Sequence, residues 1–145
     1  MSEDGGEMAT GDVAGPPGDG WLPIADETFV GGMGRIFERH SEGRVEIALC
    51  TDDRHRNLSG IVHGGVLMTI LDRAVGVSCR LVSDGARMAT ATLTVNFLRQ
   101  VQVGEVIVVS GKSRKQGRKA IFVDAEAMVG DRLVATATGI CMIVG

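Results

Sequence analysis

The sequence lacks the features that mark several classes of protein. Its most apolar stretch, residues 134–144, contains two threonines and a glycine and is far shorter than the roughly 18 residues that span a membrane. The formal net charge is −3, which does not indicate a broad basic surface for nucleic acid. We therefore expect a soluble protein that binds neither a membrane nor nucleic acid.

Cysteine and histidine are also scarce. The three cysteines are widely spaced and odd in number, without a zinc or disulfide pattern, which is typical of reduced structural thiols. The three histidines likewise lack the spacing of metal ligands. These residues predict no metal site.

The first part of the chain differs in composition from the rest. Residues 1–20 contain six glycines and two prolines and lack the basic-then-apolar order of a signal peptide. We therefore predict a flexible lead-in over residues 1–24 and one domain over residues 25–145, which is long enough for a single hydrophobic core. The expected location is cytoplasmic.

The remaining pattern predicts strands, one helix and further strands. Residues 34–40 and 44–50 flank the turn Ser41-Glu42-Gly43 and predict a hairpin. Four later strands are predicted at residues 88–97, 106–115, 119–129 and 133–143. Glycine-containing turns join the last three strands, which indicates an antiparallel meander. One long helix and about six strands predict an α+β fold, with the helix packed on one face of a curved sheet.

Residues 57–72 hold the most informative segment, Asn-Leu-Ser-Gly-Ile-Val-His-Gly-Gly-Val-Leu-Met-Thr-Ile-Leu-Asp. Helical spacing predicts a helix from about residue 64 to about residue 82. Its apolar stripe comprises Leu67, Ile70, Leu71, Ala74, Val75 and Ser78. Asp72 lies on another face, beside Gly65, Met68, Thr69 and Gly76. A buried carboxylate costs several kcal/mol unless it is paired or used, and glycines leave room for a ligand or another backbone.

Each of these residues also has a purely structural interpretation. The two glycines could permit close packing, Asn57 could be a turn residue, and His63 could cap the helix. Asp72 could form a salt bridge with Arg73 or Arg80, although adjacent side chains diverge on a helix and Arg80 lies two turns away.

Other catalytic motifs are incomplete. His-Gly-Gly also opens the oxyanion motif of some α/β-hydrolases, but no Gly-x-Ser-x-Gly pentapeptide accompanies it. Ser110-Gly111-Lys112-Ser113 is similar to the end of a P-loop, but its first glycine would fall at residue 106, which is a valine.

The order of elements, together with Asn-x5-His-Gly-Gly-x6-Asp, resembles the hotdog-fold acyl-CoA thioesterases of the phenylacetate-degradation (PaaI-like) type. The resemblance covers about residues 29–144. It implies a sheet wrapped around the helix and hydrolysis of acyl-CoA to free acid and CoA, without a metal or cofactor. It also implies homodimers that pair edge to edge, often as dimers of dimers, with active sites at the subunit boundary.

The resemblance assigns roles to individual residues. Asp72 is expected to be the general base that activates water, or the nucleophile itself. Gly64 is expected to offer a backbone N–H to the thioester oxygen, and Asn57 to help bind the carbonyl or the water. Thr90 is expected to orient the water, with Thr92 as the alternative.

Further residues are expected to contact the leaving group and CoA. His63 is expected near the leaving thiolate. The basic segment 114–119 lies at a predicted hairpin tip and is either a solvated turn or a site for the phosphates of CoA. The expected substrate-binding residues are Gly65, Arg114, Gly117, Arg118 and Lys119.

Two other functions use the same features. A non-catalytic acyl-CoA-binding or sensing hotdog module could hold the ligand without cleaving it, but Asp72 favours an enzyme. A purely structural oligomer would leave Asp72 unexplained. Aromatic residues make up 3% of the chain and there are seven methionines, which favours an adaptable acyl pocket.

Overall fold

The computed structural model describes residues 15–144; residues 1–14 of the predicted lead-in and residue 145 lie outside it. The strands are β1 (Leu22–Pro23), β2 (Arg35–Ser41), β3 (Arg44–Cys50), β4 (Met88–Phe97), β5 (Val106–Gln116), β6 (Ala120–Val129) and β7 (Arg132–Ile143). The α-helix, α1, spans Gly64–Val82, and short 3-10 helices lie at Gly31–Met33 and Asp53–His55.

All seven strands form one antiparallel sheet in the order β1-β2-β3-β5-β6-β7-β4. The predicted hairpin is β2–β3, and the predicted meander is β5–β6–β7. Strand β4 follows the helix but crosses to the far edge, where it pairs with β7. The predicted α+β fold is confirmed.

The sheet contains one strand more than the sequence pattern predicts. Leu22 and Pro23 pair with Phe37 and Glu38 of β2, inside the predicted lead-in. A strand of two residues is too short to show the alternation that reveals a strand in a sequence. The boundary at residue 24 stays a prediction.

The core lies between α1 and the face of the sheet that the helix covers. Helix α1 contacts β3, β4, β5, β6 and β7. Its buried residues are those of the predicted apolar stripe together with Cys79. Two glycines of the sheet allow this close approach. A Cβ at Gly139 would lie 2.7 Å from the side chain of Val75, and one at Gly111 would lie 2.5 Å from the Ser78 hydroxyl.

The three cysteines are buried free thiols, as predicted. Burial is the main reason why the pKa of Cys79 is raised to about 12, and a hydrogen bond with Cys141 raises it further. A thiol that stays protonated is a poor nucleophile, so Cys79 contributes packing rather than chemistry. Within residues 15–144, no helix has the length and hydropathy needed to cross a membrane.

Candidate active site

The loop before α1 holds the Asn57 side chain in one orientation. Its Oδ1 accepts hydrogen bonds from the backbone N–H groups of Ser59, at 2.9 Å, and Ile61, at 3.2 Å. Two N–H donors at one oxygen identify it as the carbonyl of the amide. The Asn57 Nδ2 therefore remains available as a donor, since it has no partner in the part of the chain that the structure describes.

The start of α1 leaves one backbone donor unused. The first N–H groups of an α-helix have no partner within the helix. His63 is the N-cap: its Nδ1 accepts from the Gly65 N–H at 2.9 Å, and its carbonyl accepts from the Val66 N–H at 3.0 Å. Among residues 15–144, the Gly64 N–H has no acceptor. An orphan donor at the positive end of the helix dipole suits an oxyanion.

His63 therefore plays the structural role that the sequence left open. Its ring nitrogen caps the helix through Gly65. This contact says nothing about whether His63 lies near the leaving thiolate, which stays a prediction.

The loop that carries Asn57 and His63 is fixed to the N-terminal segment through a buried histidine. The Nδ1 of His55 accepts from the Asp52 N–H at 2.9 Å, and its Nε2 contacts the Met33 carbonyl. The His55 carbonyl in turn accepts from the His63 N–H at 2.8 Å. Sequence reasoning missed this role, although the spacing of Asp52 and His55 is that of a capping pair.

Asp72 is held by a threonine rather than by an arginine. The Thr90 hydroxyl on β4 donates to Asp72 Oδ1 at 2.7 Å. Arg73 turns away and pairs with Asp26, with 3.1 Å between Nη1 and Oδ2. Asp72 forms no ion pair with any side chain of residues 15–144, so the salt bridge that would have explained it structurally is not formed. Its Oδ2 remains available to a water molecule.

A β-bulge turns Thr90 toward the helix. The pairing of β4 with β7 shifts register between Thr90 and Thr92, which leaves Ala91 as the extra residue. Beyond the bulge, Leu93 and Val95 pack against the core, and strict alternation from them would place Thr90 on the opposite face. The bulge reverses this alternation and re-aims the Thr90 side chain.

Asp72 and Thr90 line a pocket of about 410 Å³, which we call the Asp72 pocket. Its other lining residues are Phe29, Val30, Met68, Thr69, Arg73, Gly76 and Arg80. Sequence reasoning missed Phe29 and Val30. Their segment is held by Asp26, whose pKa is lowered by hydrogen bonds from the Thr28 side chain and backbone and by its pairing with Arg73.

Asn57 and Gly64 line a second pocket, of about 300 Å³, together with Phe97 and Leu98. The Phe97 ring lies close over the helix start, since a Cβ at Gly64 would be 3.3 Å from its Cζ. Gly64 and Asp72 are eight positions apart on one helix (72 − 64), which is about 12 Å along its axis. The two pockets of one chain are therefore too far apart to act on a single carbonyl group.

The basic segment covers the end of β5 and the exposed turn, residues 117–119, that joins it to β6. Arg114 pairs with Asp124 at 2.6 Å, which raises the Arg114 pKa. Gln116 Nε2 donates to the Val82 carbonyl at 2.6 Å, so the turn lies at the C-terminal end of α1. Gly117 donates its N–H to the Ala120 carbonyl and closes the turn. Arg118 and Lys119 are exposed. Within residues 15–144, no cluster of His, Cys, Asp or Glu could hold a metal ion.

Comparison with known proteins agrees with this architecture. The family model of the Thioesterase superfamily matches residues 59–138. The chain is 32% identical to the Pseudomonas aeruginosa protein PA0474, named provisionally as an esterase, over 74% of this chain and 82% of that protein. It is 29% identical to the acyl-coenzyme A thioesterase THEM4 of Bos taurus over 72% of this chain, but spans only 43% of that longer protein.

A solved structure shows the same fold. The PaaI protein from the phenylacetic acid degradation operon of Escherichia coli superimposes with a TM-score of 0.72 at 23% identity, over 79% of this chain and 82% of PaaI. The resemblance inferred from the sequence is thus confirmed. Because the family model covers more than half of the chain, this protein belongs to the Thioesterase superfamily and is a thioester hydrolase with the hotdog fold.

Proposed function

We propose that the protein hydrolyses acyl-CoA thioesters at a composite site that two copies of the chain share. The observation that carries this proposal is the separation of two complementary half-sites on one helix. Asp72 with Thr90 supplies an anchored carboxylate, and Gly64 supplies an unused backbone donor about 12 Å away. The Asp72 half-site lacks a donor for the oxyanion, and the Gly64 half-site lacks a base.

The free edge of the sheet provides a way to join the halves. Among residues 15–144, β4 pairs only with β7, so its outer edge is open, and long open edges favour pairing with another chain. Antiparallel pairing of β4 with its copy about a two-fold axis at Thr94 sets residue 91 opposite residue 97 (91 + 97 = 94 + 94), and the bulge brings Thr90 to the same place. Thr90 contacts Asp72 and Phe97 overlies Gly64. Such a dimer therefore brings Asp72 toward the partner's Gly64.

Within this composite site each group has one task. Asp72 takes a proton from a water molecule that the Thr90 hydroxyl helps to orient, and the water oxygen attacks the thioester carbonyl carbon. The Gly64 N–H and the Asn57 Nδ2 donate to the resulting oxyanion. The intermediate then expels the CoA thiolate, which receives the proton from Asp72, and the free acid remains. Direct attack by Asp72 would instead form an anhydride that water hydrolyses.

Two observations support CoA as the thiol carrier. A relative that matches most of this chain is named as an acyl-coenzyme A thioesterase. The exposed cations Arg118 and Lys119 lie in the turn beside the C-terminal end of α1, where they can meet phosphates. We also propose that Gly65, at the helix start, and Gly117, in this turn, contact the substrate. We propose a homodimer, or a dimer of such dimers, as the working form.

Replacement of the proposed base tests this function. Asp72→Asn should lower kcat for acyl-CoA hydrolysis at least about a hundredfold, because the amide cannot accept the proton of water. Thiol release would be followed with acetyl-, hexanoyl- and phenylacetyl-CoA, and circular dichroism would confirm folding. Asp131→Asn, in the exposed turn between β6 and β7, removes an equal charge and should leave kcat unchanged. Near-normal turnover by Asp72→Asn would refute the catalytic assignment.

A further inference from the structure

Arg80 is the cation of the Asp72 pocket that has no carboxylate partner within residues 15–144. The other arginine of this pocket, Arg73, is paired with Asp26 at 3.1 Å. Arg80 is exposed in the last turn of α1 and lines the pocket wall. The proposed hydrolysis gives it no role.

An open groove connects Arg80 to the proposed base. Positions 72, 76 and 80 follow one another at intervals of four and therefore lie along one helix face. Position 76 is a glycine, and within residues 15–144 no atom outside the local helix backbone and the two adjacent residues lies within 4 Å of the place where its Cβ would be. Long helical side chains lean toward the helix N-terminus, which directs Arg80 back over Gly76. The groove therefore has a carboxylate at one end, a guanidinium at the other and no side chain between them.

The size of the groove limits the acyl group that would fill it. Asp72 and Arg80 are separated by about 12 Å along the helix axis, and an arginine that leans back by one turn shortens this by about 5 Å. The remaining distance, roughly 7 Å, fits an acyl chain on the order of five or six carbons. A guanidinium at the end of that chain would best bind a carboxylate, in a two-pronged contact.

We propose that the protein prefers acyl-CoA substrates whose acyl chain ends in a carboxylate, and that Arg80 binds this distal carboxylate. This inference rests on the proposed function and names its substrate class. The simpler role for Arg80 is a favourable interaction with the helix dipole, as is common for a cation in a last turn. That role concerns stability and gives no preference between charged and neutral acyl chains.

Two substrates of equal chain length separate the alternatives. The values of kcat/KM for adipyl-CoA and hexanoyl-CoA, which both have six carbons, would be compared in wild type and in Arg80→Gln. We expect Arg80→Gln to lose about ten- to a hundredfold on adipyl-CoA, the usual effect of removing one charged hydrogen-bond partner, and less than about twofold on hexanoyl-CoA. Arg80→Lys should recover part of the loss, because it keeps the charge but not the planar fork.

Two further variants complete the test. Arg87→Gln removes an exposed arginine that does not line the pocket and should change neither rate. Gly76→Leu fills the groove and should slow hydrolysis of both six-carbon substrates while sparing acetyl-CoA. Equal effects of Arg80→Gln on the two substrates, or no effect of Gly76→Leu on hexanoyl-CoA, would overturn the inference but leave the hydrolase proposal intact. Failure of the wild type to hydrolyse any acyl-CoA would overturn both.

Discussion

At the scale of single residues, the site depends on one hydrogen bond that joins the helix to the edge strand. Asp72 lies among apolar helix neighbours, and the Thr90 hydroxyl fixes one of its oxygens at 2.7 Å. A carboxylate with one oxygen fixed presents the other in a defined direction, and such orientation is a large part of general base catalysis. Under the proposed mechanism, Thr90 is thus the residue that orients Asp72 as a base.

This interpretation predicts that loss of the hydroxyl lowers kcat at Thr90 but not at Thr92. Thr90→Val keeps the branched shape but removes the hydroxyl, so kcat should fall about tenfold or more, as expected for a lost hydrogen bond to a charged group. Thr92→Val makes the same chemical change on the other side of the bulge and should leave kcat within about twofold of wild type. Steady-state hydrolysis of one acyl-CoA by both purified variants is the measurement. Similar losses in the two variants would contradict the assignment.

The sequence could name Thr90 only with Thr92 as an alternative, for a physical reason. In a regular strand both residues would share a face, because side chains alternate with a period of two. The extra residue at Ala91 changes the face of Thr90, and nothing in the run Ala-Thr-Ala-Thr marks a bulge. Asp72, by contrast, stands out as a candidate in the sequence, because it is a lone carboxylate in an apolar helix, and it lines the pocket with Thr90.

At the scale of elements, regular patterns were predictable and long-range contacts were not. Helix α1 begins at Gly64 and ends at Val82, as its spacing predicts, and the next turn follows with positive φ at Asp84 and Gly85. The ion pair between Asp26 and Arg73 joins residues 47 positions apart. Such a pairing depends on how the N-terminal segment packs on the helix, which no local pattern encodes.

The turn between β5 and β6 also shows how tertiary contacts change a prediction. The sequence treats its cations as one cluster, but Arg114 is engaged with Asp124 across the β5–β6 pair. Under the proposed function, the exposed cations Arg118 and Lys119 would bind CoA. An electrostatic contact at a solvated turn is weak singly and sensitive to salt.

This turn gives a prediction about binding rather than chemistry. Arg118→Ala with Lys119→Ala should raise KM for acyl-CoA several-fold, more at low ionic strength, while kcat stays within about twofold, because only uniform binding is lost. Hydrolysis of an N-acetylcysteamine thioester, which has no nucleotide, should be unaffected. Arg114→Ala serves as the comparison and should have a smaller effect on KM. Equal losses on the two kinds of thioester would show that the turn does not bind the nucleotide.

At the scale of the whole molecule, one chain is an incomplete enzyme under the proposed mechanism. The exposed apolar residues Met68, Phe97 and Leu98 border the two pockets, and Leu58 protrudes from the Asn57 loop. A dimer that pairs the free edges of β4 covers apolar surface and joins the half-sites in the same step. Assembly and catalysis would then be coupled, so activity should depend on protein concentration below the dimer dissociation constant.

Mixed dimers provide the decisive test of this coupling. An Asn57→Ala chain and an Asp72→Asn chain should each be nearly inactive alone, but a mixed dimer would hold one site with both groups intact. Random pairing makes half of the dimers mixed, with one of two sites complete, so co-refolding should restore about a quarter of wild-type activity.

A matched control shows whether the recovered activity comes from refolding or dimerisation alone. Asp72→Asn chains refolded with the double variant Asn57→Ala/Asp72→Asn contain no intact base, so they should stay inactive although they dimerise equally. Differently tagged chains, isolated by two affinity steps, would show that mixed dimers have formed. If the isolated mixed dimer is no more active than the separate variants, Asp72 and Asn57 do not act across a subunit boundary, and the composite site is wrong.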